Sequence, residues 1–373
     1  MRAYEFLTDA IHLGAPHRRI PNDELQGYLG RIKHGKKTKK DKLGAIVHAS
    51  NIKFLKSKDS EDEWDLNDLA DQITKRPNAI LGTNAKMSKS AKEGEIVYDL
   101  TLPALKGIII DEDTGEFVEI NTCPGAGHCQ LICYARKGGY VMFPASSMSS
   151  AQALNFLIND PTGYNKQVSH EIHTIEKLAK KKGIKLVVRW HDAGDFFSTE
   201  YFDLAKKVAI ANPTVDFYAY TKIADVALSA LPDNFIMNFS SGAKPGEDKK
   251  IQQHKAKGHV VKQGITVPKE LFAASKQDVA KGALAPVIAL TPKGKPIKDA
   301  QGRTQFIDAK ALHAFKHRLA AKYGDDVKSI ITYDEMLAKP VGKEPKWNVI
   351  VQPGAGDRAA NRRDVINSYL MFH

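Results

Sequence analysis

Cysteine is scarce in this chain: three residues of 373, all of them between positions 123 and 133. An odd and small set argues against a disulfide framework and fits a reducing compartment. Long apolar runs are missing as well. GIII and APVIAL fall far short of the roughly 20 residues a membrane-spanning helix needs, so no membrane association is expected. The opening MRAYEFLTDAIHLGAP lacks the apolar core of a signal peptide, and the expected location is cytoplasmic. Acidic residues are outnumbered, 43 against 55 lysines and arginines, for a net charge of +12 and a pI near 9.3. Such an excess favours polyanions, nucleic acid first among them.

The charge is not spread evenly. RIKHGKKTKKDK (31–42) is crowded with lysine and arginine, lies between glycine-containing segments and has no helical periodicity. It reads as a basic loop whose Lys36, Lys37, Lys39 and Lys40 grip a phosphate backbone. Residues 1–95 read as a mixed, irregular region, with DSEDEWDLNDLADQI opening a helix from Asp65 to Ile73.

From residue 96 to 373 the pattern becomes rhythmic. EIVYDLTL and EFVEINTCPG read as strands, and SSAQALNFLIND and HEIHTIEKLAKKKG as helices. IKLVVRWHDAGDFF is an apolar strand that turns polar, followed by a helix capped by Ser198 and stopped by Pro213. VDFYAYTK, NFIMNFSSG, HVVKQGITV, APVIAL, SIITY and NVIVQPGAGD continue the strands, with helices over ADVALSAL and AKALHAFKHRLAAKYG. This alternation predicts an α/β fold with a parallel, barrel-like core, TIM-like but incomplete or distorted, behind an irregular basic amino-terminal region. Polar residues follow the strands: His191, Asp192 and Asp195; Thr221 and Lys222; Ser240 and Ser241; Gln352. In parallel α/β folds that carboxyl edge is where ligands bind.

Two constellations stand out. The cysteines are spaced Cys-x5-Cys-x3-Cys, which would stack Cys129 over Cys133 on a helix while Cys123 reaches in from the PGAG turn. Three thiolates suit a zinc ion with His128 or water as fourth ligand, or an iron–sulfur cluster with one open position. The spacing matches neither the common zinc pairs nor the usual radical S-adenosylmethionine motif. Three small hydrophobes packed in a core are the plain alternative. In VVRWHDAGDFFS, the turn at Gly194 presents His191, Asp192 and Asp195 together. Close carboxylates share a proton and suit glycosidic-bond chemistry, or bind magnesium. Trp190 and Phe196 read as core, and His170 and His173 as an exposed pair without a metal. QPGAGDRAANRRDV reads as a glycine turn entering a helix, an anion contact that Asp357 opposes unless Arg358, Arg362 or Arg363 offsets it.

CPGAGHCQLICYA, RWHDAGDFFS, FYAYTK and PGAGDRAANRRDVINSYLMFH together resemble the bacteriophage gene-product-88-like proteins. DAGDF is also similar to the aspartate motif of tRNA-guanine transglycosylases, to which phage DpdA-type DNA transglycosylases are related. That resemblance implies exchange of guanine for a 7-deazaguanine base in double-stranded DNA, inside an infected bacterial host cell. It casts Asp192 as acid–base; the motif does not assign the nucleophile, for which Asp195, Asp334 and Asp357 are candidates and Asp195 is preferred. His191 would sit beside them in the catalytic group. Lys222, Ser240, Ser241 and Asp357 would contact substrate. The cysteines would hold structural zinc, although the tRNA enzymes carry theirs near the carboxyl terminus with a different spacing. A homodimer is left open. The rival reading is an iron–sulfur, radical S-adenosylmethionine-like enzyme, and the third a metal-stapled DNA-binding protein without catalysis.

Overall fold

The computed structural model describes residues 12–33, 56, 63–84, 87, 94–136, 144–272, 287–289, 291–292 and 295–371. Of the basic run, residues 31–33 end the helix Asn22–Lys33 where a loop was expected, and residues 34–42, with Lys36, Lys37, Lys39 and Lys40, lie outside the described residues.

The strands are β1 His17–Arg19, β2 Glu95–Asp99, β3 Lys106–Ile110, β4 Phe117–Asn121, β5 Lys185–Trp190, β6 Asp216–Thr221 and β7 Phe235–Ser240. They continue as β8 Gln263–Val267, β9 Ile330–Thr332, β10 Trp347–Val351 and β11 Val365–Met371. Eight form one sheet in the order β2-β5-β6-β7-β8-β11-β10-β9, every neighbouring pair parallel. Among the described residues β2 and β9 remain edges and no barrel closes. The parallel α/β core expected from the sequence is present as an open, barrel-like sheet. After β8 the chain leaves for the far edge at β9, then returns through β10 to place β11 beside β8.

Alternation in β5 assigns its two faces. Leu186, Val188 and Trp190 join a core with Phe217, Ala219, Phe235 and Met237, covered by the helices Pro144–Asn159, Pro161–Lys181 and Thr199–Ala211. Trp190 is fully buried between Phe217 and Phe235, with ring centroids 6.4 Å from each, and Phe196 is buried too. Both are core, as the sequence suggests. On the opposite face Val187 meets Tyr218, Tyr220 and Ala360. Both faces are covered, so β5 shows a nearly continuous apolar run. Ser198 caps the helix Thr199–Ala211 by accepting the N–H of Tyr201, and Asp65 caps Leu66–Ile73.

A small antiparallel sheet, β1-β4-β3, packs Ile108, Ile110 and Phe117 against Leu25, Leu29, Trp64 and Leu69. It leads into the cysteine segment, because Asn121 ends β4 two residues before Cys123.

Two sequence expectations are corrected. Only residues 287–289 of APVIAL are described, and there Ile288 makes an isolated bridge to Phe306 in place of a strand. Residues 352–364 form no helix; they run as turns across the inner face and end in β11. Asn238 of β7 donates to the carbonyl of Ala360 at 3.2 Å, and Lys262 donates to the carbonyls of Ala359, Arg362 and Val365.

Candidate functional site at the carboxyl edge

The turn after β5 is stitched to the segment after β2. Leu100 N–H donates to Arg189, Asp192 N–H to Leu100 and Leu102 N–H to Ala193. Gly194 has φ 89°, and a Cβ there would lie 2.8 Å from the Leu102 Cβ, so this turn needs glycine. His191 has φ 67°, a left-handed conformation rarely adopted by a residue with a Cβ.

Asp192 and Asp195 come out of this turn into different surroundings. Asp192 lies 3.2 Å from the Arg189 guanidinium, accepts from Asn84 at 3.2 Å, and takes the Tyr134 hydroxyl on its backbone carbonyl. Arg189 also pairs with Asp357 at 2.7 Å, and Tyr218 donates to the same Asp357 oxygen at 3.0 Å. Asn84 bridges to Asp99, whose carboxyl is pushed up by burial although Arg189 pulls it down. Three carboxylates therefore surround one buried guanidinium. Burial opposes the Arg189 charge most strongly, and Asp357 together with Tyr134, Tyr218 and Tyr220 more than offsets it, so the guanidinium stays charged.

Asp195 is 3% exposed and accepts backbone N–H groups from Phe196 at 2.7 Å and Lys222 at 2.8 Å. Burial dominates nonetheless and pushes its carboxyl up to about 6, against the hydrogen bonds from Lys222 and Thr221. The ammonium of Lys222 donates to Ser240 at 2.6 Å, so two of the expected contact residues meet. Ser241 points away and accepts from Thr266 N–H.

His191, expected in the catalytic group, is buried in the aromatic core. Its ring packs edge-on against Phe196 with centroids 4.6 Å apart, and its Nε2 meets the Tyr201 hydroxyl at 2.7 Å. Burial pushes it down to about 3, so it is a neutral part of the aromatic core. Arg362 is corrected as a nucleic-acid contact: it is 3% exposed and its donors go to Asp364 and to the carbonyls of Met336, Lys339 and Pro340. Arg363 is exposed. Asp334 sits past the edge strand β9 in an ion pair with Arg303, away from Asp192 and Asp195.

The cysteine segment lies over the same edge. Ala126 bridges Ala243 beyond β7, and the N–H groups of Gly127 and Cys129 donate to Gly242. Cβ atoms at Gly125 and Gly127 would meet the carbonyls of Lys222 and Ala243 at 2.3 and 2.2 Å, so PGAG is glycine-rich to allow docking. Cys129 begins a helical turn, Cys129–Ile132, that ends before Cys133. The three thiols are free. Burial and the Asp195 charge push the Cys123 thiol up to about 12, and its sulfur accepts Leu105 N–H at 3.3 Å. Burial raises Cys129 too, partly offset by Lys222. His128 is exposed. Among the described residues no three histidine, cysteine or carboxylate groups converge as a metal site.

Sequence reasoning missed Arg189, Tyr134, Asn84 and Asp99. Only Arg189 carried a signal, as a lone cation inside an apolar strand.

An open parallel sheet with helices packed on it, and buried charged groups collected at its carboxyl edge, defines an α/β protein. The gene product 88 family model matches residues 73–310, more than half of the chain, and the chain belongs to that family. The match spans the cysteine segment, the aspartate turn and the strand ends through β8. No curated protein and no solved structure matches the chain. Among the described residues no helix is long and apolar enough to cross a membrane.

Proposed function

We propose that this protein modifies DNA by exchanging guanine for a 7-deazaguanine base through an aspartyl–sugar intermediate at the carboxyl edge of the sheet. One observation carries the reading: two buried carboxylates on one turn, one ion-paired with Arg189 and the other held near pH 6 by burial. Paired groups in opposed environments divide acid–base and nucleophilic work. Those environments favour the reverse of the roles preferred from the sequence. Asp192 attacks C1′, forming a C–O bond as the bond to guanine breaks. Asp195 supplies the proton that the departing base takes. In the return step the incoming deazaguanine gives its N9 proton to Asp195 as its nitrogen displaces Asp192. Arg189 and Asn84 hold Asp192 in place, and Lys222 and Ser240 present donors to the sugar–phosphate chain. The net charge supports a polyanionic substrate.

The test is nucleoside mass spectrometry on plasmid DNA from cells expressing the protein with a 7-deazaguanine supply. A modified deoxynucleoside, present with the native chain and lost in Asp192→Asn and Asp195→Asn, is the expected result. Unmodified DNA from cells holding soluble native protein overturns the reading and leaves a nucleic-acid-binding role.

A further inference from the structure

The helix Ala309–Tyr323 carries His313 and His317 one turn apart, both exposed, with their Nε2 atoms 3.1 Å apart. A ring contact of this kind shares one proton between two nitrogens. The same spacing fits two nitrogens on one metal ion. With metal–nitrogen bonds of about 2.1 Å, a 3.1 Å separation subtends about 95° at the metal. Tetrahedral zinc needs about 109° and a separation of about 3.4 Å at that bond length. A near-right angle suits adjacent positions of a square-planar or tetragonal ion, the preference of Cu2+ and Ni2+.

The scaffold holds this geometry before any ion arrives. Asp308 caps the helix start by accepting Ala311 N–H, and Gly324 closes its end in the left-handed conformation. Phe315 and Leu319 are fully buried on the opposite side of the helix and anchor it to β8, β9, β10 and β11 through Ile265, Ile330, Ile350 and Tyr369. Lys316 is the near cation of the same helix, and its ammonium is paired with Glu335 at 3.1 Å. Lys310 lies one turn before His313. The other close histidine pair, His254 and His259, differs. Their rings stack at 22° with centroids 4.2 Å apart, whereas His313 and His317 stand at 72°.

We propose that His313 and His317 form a surface chelate for one divalent transition-metal ion of the Cu2+ or Ni2+ type, with water in the remaining positions. On binding, the ring that donated through Nε2 moves that hydrogen to its own Nδ1, which frees both Nε2 lone pairs for the ion. The site is independent of the carboxyl edge and of the exchange reaction proposed there.

The test titrates the full chain with Cu2+ and reads bound ion by electron paramagnetic resonance. That signal is blind to any copper reduced by the thiols. One Cu2+ per chain with a two-imidazole nitrogen pattern is expected, together with at least tenfold weaker binding in His313→Ala and in His317→Ala. His254→Ala should bind as the native chain does. Both key positions are exposed, so circular dichroism should report unchanged helix content. Zn2+ should bind more weakly than Ni2+ in competition. Unchanged copper affinity in either key variant, loss in His254→Ala, or a preference for Zn2+ over Ni2+ overturns the assignment.

Discussion

At the residue scale, the molecule places two titrating groups side by side with opposite pH signatures. Asp195 is pushed from 3.8 to about 6, so the folded state holds its proton more tightly than the unfolded chain. Its stabilising contribution is complete below pH 3.8 and is lost as pH rises through 6, a swing of up to about 3 kcal/mol. Asparagine does not titrate. The unfolding free energy of the native chain minus that of Asp195→Asn should fall by up to that amount between about pH 4 and about pH 7, measured by urea denaturation. A constant difference would show that Asp195 titrates elsewhere. His191 runs the other way. Lowered from 6.5 to about 3, it contributes stability above pH 6.5 that is lost as pH falls toward 3, up to about 5 kcal/mol. Asparagine tolerates the left-handed backbone at this position. His191→Asn should flatten the acid limb of the stability profile, though it gives up the Tyr201 contact at all pH values.

At the scale of elements, two contacts seat the cysteine segment and the Asp357 stretch, the first beyond the carboxyl end of β7 and the second at the amino ends of β8 and β11. The first is the seat of the cysteine segment on Gly242. Gly127→Ala would drive a Cβ to 2.2 Å from the Ala243 carbonyl, and relief of that overlap should cost about 3 kcal/mol. The expected readout is a lower melting temperature and faster labelling of Cys129 by a thiol reagent. Unchanged labelling would mean that the segment is seated by other contacts. The second is Lys262, whose ammonium holds three carbonyls of the 359–365 stretch at 3.2, 3.0 and 2.7 Å. Lys262→Met leaves those acceptors without their donor and should cost about 3 kcal/mol. Hydrogen exchange should quicken at Ala360 and Asn361 before the outer helices. Uniform quickening would place the loss elsewhere. How much of this was legible differs by element. PGAG announced a glycine-dependent approach but not the partner. QPGAGDRAANRRDV read as a helix entry because its arginines look exposed, whereas Arg362 is spent on Asp364 and three carbonyls.

At the scale of the whole molecule, the excess of basic residues acts as a field more than as a set of contacts. The run at 31–42 is the densest contributor. Replacing Lys36, Lys37, Lys39 and Lys40 by glutamine should weaken DNA binding and reduce the slope of log affinity against log salt by about three to four if all four meet phosphates. A slope that does not change would remove this run from the DNA interface.

What the sequence determined by itself follows from short-range physics. Alternating and continuous apolar runs specified β5, β6, β7, β10 and the Ser198-capped helix, because side-chain period and capping are local. The same locality exposed the polar residues after each strand and the three blocks, CPGAGHCQLICYA, RWHDAGDFFS and FYAYTK, that lie within the family match. Only the tertiary structure decided the strand order and the return of β11 beside β8. It also decided the course of residues 352–364 across the inner face and the ion pair of Arg189 with Asp357, 168 positions apart. A contact between distant positions leaves no periodic trace in either partner. Asp192 and Asp195 illustrate both halves: their spacing was visible in the chain, but their opposed environments came from Arg189 and Asn84 on one side and a buried turn on the other.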